Sequence, residues 1–306
     1  MQTRLVAVLA VLQLLCWHSH FAAGRELFVN CSATSPDDSC TRAAPCATLR
    51  AAVLQLRSGD QATIWLTPAV CLETAPIQVD SVKLTIAGED GEVTIRFNGG
   101  GGLRARNSTL ALTNLAVEHA SAAVYLGVSS LLAHSTIFRW NEIAINADMT
   151  RDVTLDRCSF FQNEQALDFS TPLAFSGHSE TRIHRCTFTE NHCREKGAIV
   201  EFEAPRQSPS TLLVDISQTV FVRNSQVKTG GTIAGGILLC ALDSKTSACR
   251  LTDVAFVENT ALSASSLEKE ATISGGIVKL ANVATQLLRV NFTPNRVAST
   301  GNMNIA

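Results

Sequence analysis

Apolar residues in the second half of the chain recur in a fixed frame around a Phe-x-x-Asn motif. The motif occurs at Phe138/Asn141, Phe160/Asn163, Phe188/Asn191, Phe221/Asn224, Phe256/Asn259 and Phe292/Asn295. Successive phenylalanines lie 22, 28, 33, 35 and 36 residues apart. Two positions before each stand Thr136, Cys158, Cys186, Thr219, Val254 and Val290, all β-branched or Cys. Five positions before stand Ala133, Leu155, Ile183, Ile216, Leu251 and Leu287, an apolar column. Polar pairs such as Asp156-Arg157 and His184-Arg185 separate the columns. Side chains alternate faces along a strand. The minus-two position and the Phe therefore share a face, while minus five is out of phase with them. The pattern predicts short strands separated by a corner, bending around a core.

A turn closes at each Asn, which tolerates left-handed backbone and bonds to its copies in a ladder. Another strand follows, as in Ala198-Ile199-Val200, Ile237-Leu238-Leu239 and Ile277-Val278-Lys279. Gly197, Gly235-Gly236 and Gly275-Gly276 precede these three, where a tight bend or close backbone approach suits glycine. A repeat of packed helix pairs would hold its length, whereas a coil of strands can lengthen outward. The reading is a parallel β-solenoid with one coil per repeat and equivalent residues about 4.8 Å apart. The stretches 225–234 and 260–274 read as irregular loops outside the wall, where function usually sits.

Phe-x-x-Asn followed by Gly-Gly-(Ala/Ile)-(Ile/Leu/Val) resembles the repeat of chlamydial polymorphic outer-membrane proteins. These belong with right-handed parallel β-helix, pectin-lyase-like proteins. The resemblance implies an all-β, single-stranded right-handed parallel β-helix with an N-terminal capping α-helix. The entry LFVNCSATSPDDSCTRAAPCATLRAAV is similar to that group. Leu49, Val53 and Leu56 fall on one helical face, and Gly59 is expected to stop that helix. Pro68-Ala69-Val70-Cys71 departs from the Pro-Gly-x-Tyr of many relatives. No cap is legible in the last residues, TGNMNIA.

Residues 1–24 read as a signal peptide, with an apolar run Leu5–Leu15 and small residues Ala22-Ala23-Gly24. Residues 25–306 form the β-helix domain, 25–60 as its cap and 61–306 as its coils. No transmembrane segment is expected after the signal. Secretion or display at the cell surface follows. The chain is 46% hydrophobic and 17% charged with net charge −2, which excludes disorder and a nucleic-acid footprint. Of ten cysteines, Cys16 leaves with the signal. Cys31, Cys40, Cys46 and Cys71 cluster early and are disulfide candidates, as are Cys240 and Cys249 around ALDSKTSA. Cys158 and Cys186 share a column, as a disulfide or as stacked thiols. Asn30, Asn107 and Asn291 head glycosylation sequons.

Catalysis is harder to find. Asp148, Asp152, Asp156 and Asp168 come from neighbouring coils, with Arg157 and Arg185 close in register. Asp152, Asp156, Asp168 and Arg185 are the catalytic candidates, set against a solvated outer wall. His134 and His184 lie too far apart to share an ion, and neither a metal nor a cofactor is expected. Trp65 reads as core. Trp140 points outward beside an inward Phe and is the aromatic candidate for ligand contact. The preferred function is non-catalytic recognition, adhesion or matrix structure, with a cell-surface protein or glycan as partner. The alternative is a polysaccharide lyase or glycoside hydrolase acting on acidic polysaccharides.

Overall fold

A computed structural model describes residues 24–33, 39–98, 100–169, 178–194, 197–204, 211–229, 231–234, 236–242, 247–264, 271–274, 276–300 and 303–305. Residues 1–23, most of the segment read as a signal, and Gly235 and Gly275 lie outside them. All the strand pairings are parallel, and the strands form stacked sheets of 16, 9, 4 and 3 strands. No helix among the described residues is long and apolar enough to cross a membrane.

The nine-stranded sheet carries the Phe column. It runs from Val70–Glu73 through Thr94–Phe97, Ala116–Glu118, Ile137–Arg139, Ser159–Phe161 and Thr187–Thr189 to Asn291–Thr293. Phe138, Phe160, Phe188, Phe221, Phe256 and Phe292 stack with ring centroids 4.5 to 5.1 Å apart. Three earlier coils place Cys71, Ile95 and Val117 in the same register. They lack the Phe, which hid them in the sequence. The minus-five column stacks as expected, from Ala133 through Leu155 and Ile183 to Leu287.

The corners differ from the expectation in one respect. Left-handed backbone falls at Ser135, Arg157, Arg185, Gln218, Asp253 and Arg289, three before each Phe (φ 48 to 55°). It falls again at Trp140, Gln162, Glu190, Arg223 and Glu258, the residue before each of the first five Asn of the column (φ 50 to 57°). The asparagines are not the left-handed residues. They are buried, and they form the ladder: Asn163 Nδ2 donates to Asn191 Oδ1 (3.0 Å) and to Phe138 O (2.9 Å). Its Oδ1 accepts both the backbone N–H and Nδ2 of Asn141. The same pattern links Asn191, Asn224, Asn259 and Asn295. Buried amides require such partners, so Asn is fixed by bonding inward and the strained corner passes to its neighbour.

The described parts of the lengthening segments are not irregular. Ser225–Thr229 pairs in register with Thr260–Ala264, and that strand with Arg296–Thr300. Gly231–Ala234, Ala271–Ser274 and Met303–Ile305 form a further sheet. Each excursion finds its backbone partners in the excursion above and below, as strands require. Gly236 explains its motif: a Cβ there would sit 2.8 Å from Ala261 Cβ.

At the N-terminal end the helix is a single turn, Leu49–Val53, with Leu49, Ala52 and Val53 buried. Thr48 accepts the Ala51 N–H, and Glu73 Oε1 accepts those of Leu49 and Arg50. It ends at Leu54, short of the expected Leu56 and Gly59, and Leu56 packs against the core from beyond the helix. Disulfides join Cys31 to Cys71 and Cys40 to Cys46. The free edge of the strand Arg25–Val29 is bonded to that second loop through Phe28 and Asn30. Cys158 and Cys186 are buried thiols, as are Cys240 and Cys249. Each pair lies thiol to thiol, and that contact, with burial, pushes the Cys186 and Cys240 thiols up. The Cys240–Cys249 disulfide expected from sequence is not closed here: both are free, buried cysteines.

Candidate functional site

The four acidic-site candidates do not form one site. The long strand Ile143–Asp156 bends, and its two halves pair with different partners. Asp152 and Asp156 lie on the half that pairs with His178–His184. Asp168 stands on the strand Gln165–Phe169 beside the other half, between Asn146 and Glu201 in register. Arg185 is an exposed corner residue donating to Gln218 Oε1 at 3.0 Å. Asp152 accepts the Glu180 N–H, and Asp148 accepts the Tyr125 hydroxyl. Asp156 pairs with His134 Nδ1 at 2.9 Å, and its other oxygen is buried without a partner among the described residues. His184, next in that column, bonds Ser217 Oγ. Burial, then the Arg185 charge, holds the His184 imidazole below its ordinary range.

Glu201, missed in the sequence, is a carboxyl pushed up to about 7 by burial and then by Asp168. Its Oε2 accepts from Ala198 N–H (3.2 Å) and lies against Gly197, where a Cβ would come within 1.5 Å of it. No substrate has room there, so Glu201 is a structural acid.

Trp140 heads an aromatic surface beside an open cavity. The wall strands place Leu72, Arg96, Glu118, Arg139 and Phe161 in one outward column, one residue after the core position. The next position is the left-handed corner, where His119 and Trp140 follow in successive coils (φ 58 and 57°). Their rings stack at 5.4 Å. Trp140 Nε1 donates to Gln162 Oε1 at 2.8 Å, and the Arg139 guanidinium lies 4.8 Å from the ring centroid. The indole remains 40% exposed. The corner geometry turns it away from the inward Phe138, as the sequence led us to expect. Trp65, by contrast, is not core: it takes an outward register and donates to Glu26 at 3.3 Å.

Beneath Trp140, Glu118 is wholly buried between two arginines. Arg96 Nε reaches Glu118 Oε1 at 2.5 Å, and Arg139 Nε reaches Oε2 at 2.6 Å. Burial alone would raise the Glu118 carboxyl, but the bonds from Arg139 and Arg96 outweigh it and hold it below the usual range. A cavity of about 690 Å³ opens beside this cluster, lined by Leu72, Arg96, Asn98, His119, Trp140 and Glu142 among others. Arg96, Glu118 and His119 precede the first Phe-x-x-Asn, so the repeat could not flag them. Val117 and Ala120 in place of Phe and Asn carry the same register.

The cavity offers an aromatic face, an apolar edge, an oriented cation and neutral polar groups. Such a lining suits binding. Its described lining includes Ser121, whose hydroxyl donates to Gly101 O, and no nucleophile bonded to a base among those residues. Of the sequons, Asn107 sits exposed at a left-handed corner and Asn291 is exposed. Asn30 is half-buried and accepts the Ser32 N–H.

The family described as "Right handed beta helix region" matches residues 86–278. No curated protein matches the chain. Among solved structures it is similar to a PL6 family alginate lyase, AlyGC, at 10% identity and TM-score 0.50, over 94% of this chain and 40% of that one. The chain thus spans well under half of that lyase's length. It is also similar to a rhamnogalacturonan lyase (11%, TM-score 0.37, covering 81% and 75%). A third is the Streptococcus pneumoniae surface protein and adhesin PfbA (11%, TM-score 0.24, covering 82% and 88%). At these identities the likeness reaches the fold only.

Proposed function

The chain belongs to the right-handed β-helix family, and from that premise we propose that it is a secreted or cell-surface recognition protein that binds a glycan without cleaving it. The observation that carries this is the cavity beside Trp140, where a 40% exposed indole is held by its neighbours rather than buried by them. Exposed aromatics backed by hydrogen-bonding groups recognise ligands with one apolar and one polar side. Residues 1–24 direct export, and glycans sit on Asn107 and Asn291. The one-turn helix and the Cys40–Cys46 loop cap the N-terminal coil, covering an edge that would otherwise pair with other chains. The stacked excursions after Asn191, Asn224 and Asn259 add surface for adhesion.

The test is a glycan array probed with the full chain and with Trp140→Ala. Binding in the parent and its loss in the variant, with unchanged thermal unfolding, is the expected result. Equal binding by both proteins would remove the cavity from the account.

A second reading, cleavage of acidic polysaccharides, draws on the unpartnered buried oxygen of Asp156 beside His134. It requires product formation that Asp156→Ala abolishes.

A further inference from the structure

We infer that the Trp140 cavity recognises a saccharide carrying an oxyanion, a carboxylate or a sulfate ester, and that Arg96 is the residue that selects for it. The inference rests on the reading of the cavity as a glycan site and adds its charge specificity.

Glu118 is the origin of the specificity. It is 0% exposed and has two arginines on its two oxygens. One carboxylate cannot neutralise two guanidinium charges. Arg139 finds a second carboxylate, Glu92, at 3.3 Å. Arg96 finds none: its Nε is committed to Glu118, its side chain is 44% exposed, and its terminal nitrogens have no partner among the described residues. A guanidinium docked through Nε presents its terminal N–H groups as a planar fork, the geometry that bonds an oxyanion through two parallel hydrogen bonds. Burial of Glu118 fixes that fork in advance, so little side-chain freedom is lost when a ligand binds.

The rest of the cavity says what the oxyanion is attached to. Trp140 and the 53% exposed Leu72 offer an apolar surface, and Asn98 and His119 add polar groups. A sugar ring has an apolar face and a hydroxylated rim, which matches that division.

The experiment is a calorimetric titration of the full chain with three polymers: a polyuronate, dextran sulfate and uncharged dextran. Parent, Arg96→Gln, Arg96→Lys and Trp140→Ala are compared. The expected result is binding of at least one charged polymer, no binding of dextran, and weakening of about ten-fold or more in Arg96→Gln. Arg96→Lys keeps the charge on Glu118 and guards against loss of the fold; it is expected to weaken binding less than Gln, since the fork is lost but the charge stays. Which charged polymer responds separates a carboxylate from a sulfate ester. Dextran binding as tight as the charged polymers, or unchanged affinity in both Arg96 variants, overturns the oxyanion claim while leaving a Trp140-dependent site standing. Affinity unchanged in Trp140→Ala instead overturns the cavity itself.

Discussion

Asn191 illustrates how a single side chain holds two coils. It accepts the Asn163 N–H and Nδ2 through Oδ1 and donates from Nδ2 to Phe160 O and Asn224 Oδ1. Asn191→Ala leaves several buried groups without partners, at about 1–3 kcal/mol each. Urea unfolding of this variant is expected to show a loss of roughly 3 kcal/mol or more, against little change for the exposed neighbour Glu164→Ala. Glu201 makes the opposite electrostatic statement to Glu118. Its carboxyl titrates at about 7 when folded and lower when unfolded, so the folded state holds its proton more tightly. Its contribution is complete below the unfolded value and is lost as pH rises through 7, by roughly 3 kcal/mol for a shift of that size. Glu201→Gln is expected to flatten stability between about pH 4.5 and 7. Glu118, held low, contributes above its unfolded value and loses that contribution in acid. A pH series of unfolding midpoints reads both, and an unchanged slope in Glu201→Gln would refute the assignment.

At the scale of elements, the stack of coils is the unit of stability. Phe188 is fully buried between Phe160 and Phe221. Phe188→Ala is expected to cost about 3–5 kcal/mol, whereas Phe292, 52% exposed in its coil, should cost far less. Comparable losses at both positions would contradict stack-dependent burial. The excursions behave as elements too. Replacing 225–234 by a short turn strips a strand partner from Thr260–Ala264. The midpoint is therefore expected to fall, whereas a free loop would be removed without effect. The thiol pairs give a further check. Alkylation of the denatured but unreduced protein, made in an oxidising host compartment, counts the cysteines left reduced. Labelling of Cys240 and Cys249 is expected, and protection of both would mean that the pair closes as a disulfide.

Across the whole molecule, what was legible followed from repetition. The Phe and Asn columns could be aligned because each residue packs on its own copy, so the stack appears directly as a sequence pattern. Trp140 was expected to face outward, but strand alternation alone would put it on the face of Phe138, two residues before; the left-handed corner at Trp140 is what turns it out. The bend within Ile143–Asp156 was not legible, and that bend separates Asp168 from Asp156. Nor was the pairing of the excursions, since backbone ladders place few demands on side chains. The cluster of Arg96, Glu118 and Arg139 stayed hidden for a third reason. Arg96 and Glu118 lie in coils without the Phe-x-x-Asn motif, so nothing in the sequence marked that positions 96, 118 and 139 share a register.

Heat measured on mixing the full chain with a charged polysaccharide tests the central claim most directly, because binding and turnover differ in form. The account predicts a finite heat that saturates with protein sites filled and disappears in Trp140→Ala. A steady heat that continues until substrate is consumed, with shortened polysaccharide recovered afterwards, would contradict it and make the chain an enzyme.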